Sequence, residues 1–231
     1  KEILISVCLL SLKETIIHFL KKNELEVTLH LISDNSNSAF DEKILKLIKS
    51  DIFNVKLHAS KVQGNRGSYL ECCDQAENAE DLIFFVEDDY LFQKNCLEEM
   101  LITYSRISSI LKEDIIQCPA DYSFFYDSLY KTALFVGKKY RWRIVGETLL
   151  TFLMSKKIFT KHKNLIRLVG EIENKPFEKP LHKIYKDVVC VAPINSLSYH
   201  ISRSVPAISE NWQVTWNECY NKYLSYDSNQ Q

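Results

Sequence analysis

The segment Leu82-Ile83-Phe84-Phe85-Val86-Glu87-Asp88-Asp89 limits the fold more than any other part of the chain, because five apolar residues end abruptly in three consecutive carboxylates. An apolar run this short, rich in Ile, Phe and Val, reads as a strand buried on both faces, with its acids at the carboxyl end. In open α/β sheets ligands gather outside that end. Three adjacent carboxylates repel one another unless a cation or hydrogen-bond donors compensate, and a hard divalent ion takes oxygen ligands of this kind. The competing reading is a charged turn that caps the next helix.

Upstream of the acids, strand and helix patterns alternate. Ile3 to Leu10 reads as a first strand and Glu14 to Lys22 as a helix with Ile16, Ile17, Phe19 and Leu20 on its buried face. Glu26 to Ser33 alternates as a second strand and runs into the polar loop Ser33 to Ser38. A helix over Asp41 to Ser50, a short strand over Asn54 to His58 and a helix over Ser68 to Asn78 complete the pattern. Such alternation predicts right-handed βαβ units and a mostly parallel, Rossmann-like central sheet flanked by helices, in a single α/β domain.

Downstream the pattern is mixed. Asn95 to Leu111 is the longest amphipathic stretch. Ile115 to Cys118, Tyr140 to Val145, Leu149 to Met154 and Val188 to Ala192 read as strands, Lys156 to Leu168 and Phe177 to Lys186 as helices, and Ser225 to Gln231 as a frayed tail.

Composition excludes several classes. Lys plus Arg number 29 against 30 for Asp plus Glu, so no global field attracts nucleic acid or an anionic bilayer. The seven cysteines form no Cys-x-x-Cys pair and read as reduced, buried thiols rather than zinc ligands or a disulfide framework. No apolar run approaches the roughly 18 to 20 residues needed to span a bilayer, and Lys1 to Leu12 lacks the layout of a signal peptide. A protein without a transmembrane segment and located in the cytoplasm is the expectation.

Other polar segments compete between chemistry and structure. Asp34, at a strand end, suits a hydrogen bond to a base or ribose, or an Asx-turn. In Gly64-Asn65-Arg66-Gly67, the glycines permit close backbone approach to a phosphate or base while Arg66 adds fixed charge; a helix-opening turn is the alternative. His200 lies in a segment too polar for core, and Glu178 opens a helix where capping competes with catalysis. Lys138 to Arg143 can meet a diphosphate or form a charged loop edge. Tyr122, Phe124, Phe125, Tyr126, Tyr130 and Trp142 are candidate sugar-stacking aromatics, and acceptor selection is expected in residues 119–147 and 201–223.

Together these residues resemble the nucleotide-sugar glycosyltransferases of the A-type fold (GT-A), especially the large inverting family two, over nearly the whole chain. Glu87-Asp88-Asp89 resembles that family's Asp-x-Asp motif with Glu in first place. The resemblance implies that Asp89 binds Mn²⁺ or Mg²⁺ bridging the donor diphosphate, with Glu87 and Asp88 supporting ribose and metal. Ser33-Asp34-Asn35-Ser36 is similar to the Asp-x-Ser loop that holds the base, and Gly64-Asn65-Arg66-Gly67-Ser68 to the Asn-x-Gly loop beside the nucleotide. Phe177-Glu178-Lys179-Pro180-Leu181, Val191-Ala192-Pro193 and Tyr199-His200 resemble the acid-led helix, proline-ended strand and terminal histidine. His200 is then a metal or diphosphate ligand and Glu178 the general base, with Glu147, Glu171 and Glu173 as substitutes. Leu9-Leu10-Ser11-Leu12 departs from the family's Pro-rich turn, and Glu178-Lys179 from its Glu-Asp pair.

By this resemblance residues 1–92 form a nucleotide-binding half and residues 93–224 an acceptor-binding half, followed by the tail 225–231. The expected partners are a nucleoside-diphosphate sugar and a glycan, lipid-linked or other hydroxyl acceptor. A nucleotidyltransferase of related fold and a non-catalytic nucleotide- or carbohydrate-binding module are the alternatives. A haloacid-type phosphatase fits less well, because it needs a second Asp two residues after its nucleophile.

Overall fold

The computed structural model describes residues 1–127, 132–201 and 212–228. Its architecture is α/β. The first element corrects the expected strand over Ile3 to Leu10: one continuous helix, α1 (Glu2–Leu20), absorbs it together with the predicted helix that follows. Neither Gly nor Pro separates Leu10 from Glu14, so nothing breaks the backbone ladder. Buried Val7, Cys8, Ser11, Leu12, Thr15, Ile16 and Phe19 recur at helical spacing. Leu12, Ile16 and Phe19 enter the larger apolar cluster, whereas Val7, Cys8 and Leu10 enter a second, smaller one. Each such side chain contributes roughly 1.5–3 kcal/mol when fully buried. α1 is also long and apolar enough to cross a membrane, with half of that window buried inside the fold.

Two strands, β1 (Thr28–Ser33) and β2 (Asn54–Ala59), pair in parallel around helix α2 (Ser38–Ile48). Asn37 caps α2, its side chain accepting a bond from Phe40 N at 2.7 Å. Helix α3 (Asn65–Ala76) then leads to β3 (Leu82–Phe85) and, past the acids, β4 (Tyr90–Phe92). β3 alternates in burial rather than being covered on both faces, and Leu82 is exposed.

The later elements are α4 (Cys96–Leu111), β5 (Ile116–Gln117), a 3₁₀ turn (Ser123–Tyr126), β6 (Leu134–Val136), β7 (Arg141–Ile144), β8 (Phe152–Ser155), α5 (Lys156–Glu171), α6 (Leu181–Ile184), β9 (Cys190–Pro193), β10 (Ser198–His200) and α7 (Trp212–Ser228). Residues 225–228 thus close a helix rather than fray, and 229–231 lie outside the described residues, as do Tyr130 and Ser202.

The main sheet corrects the expectation of a mostly parallel one. Its order is β3-β8-β5-β9-β7-β6, and only β5 and β9 pair in parallel. β8 returns antiparallel between β3 and β5, and β6 and β7 form a hairpin closed by Gly137 N donating to Tyr140 O at 2.8 Å. The β6–β7 connection is too short for the crossover that a parallel pair needs, whereas β8 comes back to β3 and β5 only after long intervening segments that include α4. β1 and β2 stand apart as their own sheet, as do β4 and β10.

Candidate metal centre and its surroundings

The pairing of β4 with β10 builds the site. The two run antiparallel with His200 opposite Tyr90, and Ile201 N donates to Asp89 O at 2.9 Å. This brings His200 Nε2 to 3.0 Å from Asp89 Oδ2, across 111 residues of chain. The imidazole also lies over the Tyr90 ring, with centroids 4.9 Å apart and planes 9° from parallel. Glu87 joins them: one ligand atom from each of Glu87, Asp89 and His200 lies within 4.8 Å of the others. The chain turns between β3 and β4 at Asp88 and Asp89, and Asp88 stays outside the group formed by Glu87, Asp89 and His200. Asp88 is exposed and faces Lys1 Nζ at 4.0 Å.

His200 faces Asp89 and Lys1 faces Asp88, so the acids at this site are only partly compensated. Burial pushes the Glu87 carboxyl up to about 7, and the charge of Asp89 pushes the same way. Asp88 is also raised by burial, against the pull of Lys1. At His200 burial favours the neutral ring, but the hydrogen bond and charge of Asp89 outweigh it and raise the pKa. Asp89 Oδ1 and His200 Nδ1 are both buried without a hydrogen-bond partner among the described residues. Buried polar atoms without partners are costly and are normally satisfied. Two carboxylates, one of them with an orphaned oxygen, and an imidazole form a donor set that could hold Mn²⁺ or Mg²⁺.

A second acid group lies behind the first. Glu178, only 2% exposed, accepts bonds from Thr148 N (2.9 Å), Thr148 Oγ1 (3.0 Å) and Leu150 N (3.3 Å). The expected helix over Phe177 to Lys186 is reduced to the single turn α6, preceded by the turn that carries Glu178, and His182 Nε2 in α6 lies 3.5 Å from Glu178 Oε1. Glu147 completes this group and is less buried. Burial and the negative charge of Glu178 raise the Glu147 pKa. The segment held by Glu178 is strained: Leu149 and Leu150 both have positive φ, 48° and 61°, a conformation costing L-residues roughly 1–2 kcal/mol each.

The same segment reaches the first acid group. Tyr90 OH donates to Leu149 O at 3.3 Å and pairs with Tyr122 OH; Tyr122 OH in turn lies 3.5 Å from Thr148 O. Glu87 N donates to Thr151 Oγ1 at 3.2 Å. Residues 148–151 are therefore a rigid bridge between the two carboxylate groups.

Asp34 and the glycine loop meet each other instead. Asp34 accepts both its contacts from Gly64 N, at 3.1 and 2.9 Å, which ties the end of β1 to the start of α3. Asn65, Arg66 and Gly67 form the first turn of α3, with Asn65 and Arg66 exposed. A Cβ on Gly67 would meet Val62 O at 1.8 Å, so this glycine is required by packing. Among the described residues no hydrogen bond or ion pair joins this group to Glu87, Asp88 or Asp89. Glu171 pairs with Arg167 at 3.4 Å, and Glu173 with Lys175 at 3.8 Å. A cleft of about 620 Å³ opens elsewhere, lined by Ser11, Gln93, Asn195 and Lys222 among others, and contains none of the acids of either group.

Sequence reasoning misses Tyr90, Thr148, Thr151 and His182, and it offers Tyr122 as a sugar-stacking aromatic, whereas that ring is buried and its hydroxyl pairs with Tyr90. His182 had a legible signal, its i+4 spacing from Glu178 on a helical segment. Thr148 and Thr151 had none, because their roles depend on a turn of left-handed leucines that no residue preference announces.

The fold and site together define an α/β protein with a carboxylate–histidine centre beside a buried glutamate. The chain matches no protein-family model and no curated protein sequence.

Proposed function

We propose that the chain is a metal-dependent glycosyltransferase with a variant of the GT-A fold. It would move a sugar from a nucleoside-diphosphate sugar to a hydroxyl of a glycan, lipid-linked or related acceptor, with inversion. The observation that carries this reading is the convergence of Glu87, Asp89 and His200 at a strand end with an orphaned Asp89 oxygen. Asp89, His200 and Glu87 would hold Mn²⁺ or Mg²⁺, and the bound ion supplies a positive charge against which a nucleoside diphosphate can leave.

The chain's own groups divide the remaining work. Asp89 and His200 fix each other by their hydrogen bond, and Tyr90 fixes the plane of His200. Asp34, Asn65, Arg66 and Gly67 receive the nucleotide, where exposed Arg66 meets phosphate or base, and Asp88 adds a polar edge to the metal side. A general base must take the proton of the acceptor hydroxyl, worth roughly 10² to 10⁴ in rate. The carboxylate oxygens of Glu178 are already committed to Thr148, Leu150 and His182. Glu147, beside it, less buried and raised in pKa, is the better-placed base, with Glu178 holding its loop.

Calorimetric titration with UDP, GDP, dTDP and CMP, each with Mn²⁺ and with EDTA, tests this. We expect one nucleoside diphosphate to bind only with metal, and Asp89→Ala to lose that binding. No response to any nucleotide would overturn the reading. Pyrophosphate as product would transfer it to nucleotidyl transfer, and donor binding with neither transfer nor slow donor hydrolysis to a binding module.

A further inference from the structure

The parallel pair β1–β2 carries two histidines on one face. The register sets His30 opposite Lys56 and Ile32 opposite His58, so strand alternation puts His30 and His58 on the same side, diagonal to each other. The opposite side carries Leu29, Leu31 and Val55, which pack against the apolar clusters. Both imidazoles are half-buried. His30 Nδ1 lies 3.0 Å from His58 Nε2, with ring planes 11° from parallel and centroids 5.0 Å apart. Nitrogens this close, below the contact distance of stacked faces, mean that the rings meet by their edges.

We propose that His30 and His58 form a binding site for a divalent ion of the imidazole-preferring class, Cu²⁺, Ni²⁺ or Zn²⁺, separate from the carboxylate centre. Two nitrogens that each stand about 2.0–2.1 Å from one ion are roughly 2.8–3.4 Å apart, from right-angled to tetrahedral arrangements. The observed separation lies at the lower end of that span. Histidine χ2 is a broad torsion, so both lone pairs can turn to one point off the line between the nitrogens. The ring that now donates must shift that proton to its other nitrogen to ligate, a change of tautomer, so two neutral rings bind without net loss of a proton.

The surroundings of His30 favour its neutral ring. Burial lowers the His30 pKa, and the charges of His58 and Lys56 lower it further. A neutral ring is the ligating form. The six-residue register holds the two rings together before any ion arrives. The absence of a carboxylate from the pair sets its selectivity: imidazole suits Cu, Ni and Zn, while Mn²⁺ and Mg²⁺ prefer oxygen. An ion held there would cross-link β1 to β2.

The test is calorimetric titration of the full chain with Ni²⁺ alone, in excess Mg²⁺ to fill the carboxylate centre. One Ni²⁺ per chain is expected, unchanged in Asp89→Ala. His30→Gln or His58→Gln should weaken it on the order of 10²-fold, the gain that a second tethered ligand gives. Cu²⁺ electron paramagnetic resonance on the wild type is independent of variant folding and should show nitrogen ligation that persists in Asp89→Ala. No Ni²⁺ binding, binding retained in both histidine variants, binding lost in Asp89→Ala, or purely oxygen ligation of Cu²⁺ would each overturn the proposal.

Discussion

Tyr90 and His200 lie ring on ring, 4.9 Å apart and 9° from parallel, while the Tyr90 hydroxyl reaches the strained segment at Leu149. One side chain therefore orients the histidine of the acid centre and pins the bridge behind it. Partners of this kind typically matter 10- to 100-fold for metal affinity. Tyr90→Phe keeps the ring and should leave Mn²⁺ affinity unchanged while costing about 1 kcal/mol of stability. Tyr90→Leu should weaken Mn²⁺ about tenfold. Equal Mn²⁺ affinity in both variants would remove the stacking from any orienting role.

Adjacent acids should behave oppositely. Asp89 faces His200, whereas Asp88 is exposed toward Lys1. Asp89→Asn should abolish Mn²⁺ binding in a competition titration. Asp88→Asn should keep most of it and shift stability by less than about 0.5 kcal/mol, as exposed substitutions do.

The two glutamates of the second group should separate by readout. Glu178→Gln disturbs a buried network of three donated bonds and a histidine contact. We expect a loss of roughly 2–4 kcal/mol in urea denaturation. Glu147→Gln should stay within about 0.5 kcal/mol of wild type but lose turnover by roughly 10²-fold or more with donor binding intact. Full turnover in Glu147→Gln would return the base role to Glu178.

Stability should fall as pH rises through the titration of His182. The neighbouring Glu178 carboxylate raises its pKa above the ordinary value of 6.5, against an opposing push from burial. A raised folded pKa means that the contribution is complete below 6.5 and disappears as pH climbs through the higher folded value. Glu147, also raised, acts with the same sign at lower pH. Thermal melts across this range should show a smaller decline for His182→Gln than for wild type; identical curves would exclude the pair as a source.

Much of this fold is legible in the chain where periodicity meets a clear cap. α2 begins behind Asn37 and α5 behind Ser155, and both were recognisable from their apolar spacing. The three acids mark a candidate site by themselves, although only Glu87 and Asp89 meet His200. The N-terminal helix is not legible as one, because an apolar run without Gly or Pro satisfies strand and helix equally and tertiary burial on two sides decides it. The sheet order was hidden because it depends on where β8 returns, a long-range choice that local preference does not encode. Asp89 and His200 were joined only by resemblance, since 111 residues lie between them.

The position of α1 carries a final consequence. Its two buried sides belong to different apolar clusters, and it is bonded to the rest of the chain at Ser11, which accepts from Phe92 N, and Thr15, which accepts from Leu97 N. Neither cluster can open without exposing half of this helix. The protein should therefore melt in a single cooperative transition, and no fragment lacking the first twenty residues should hold either half together.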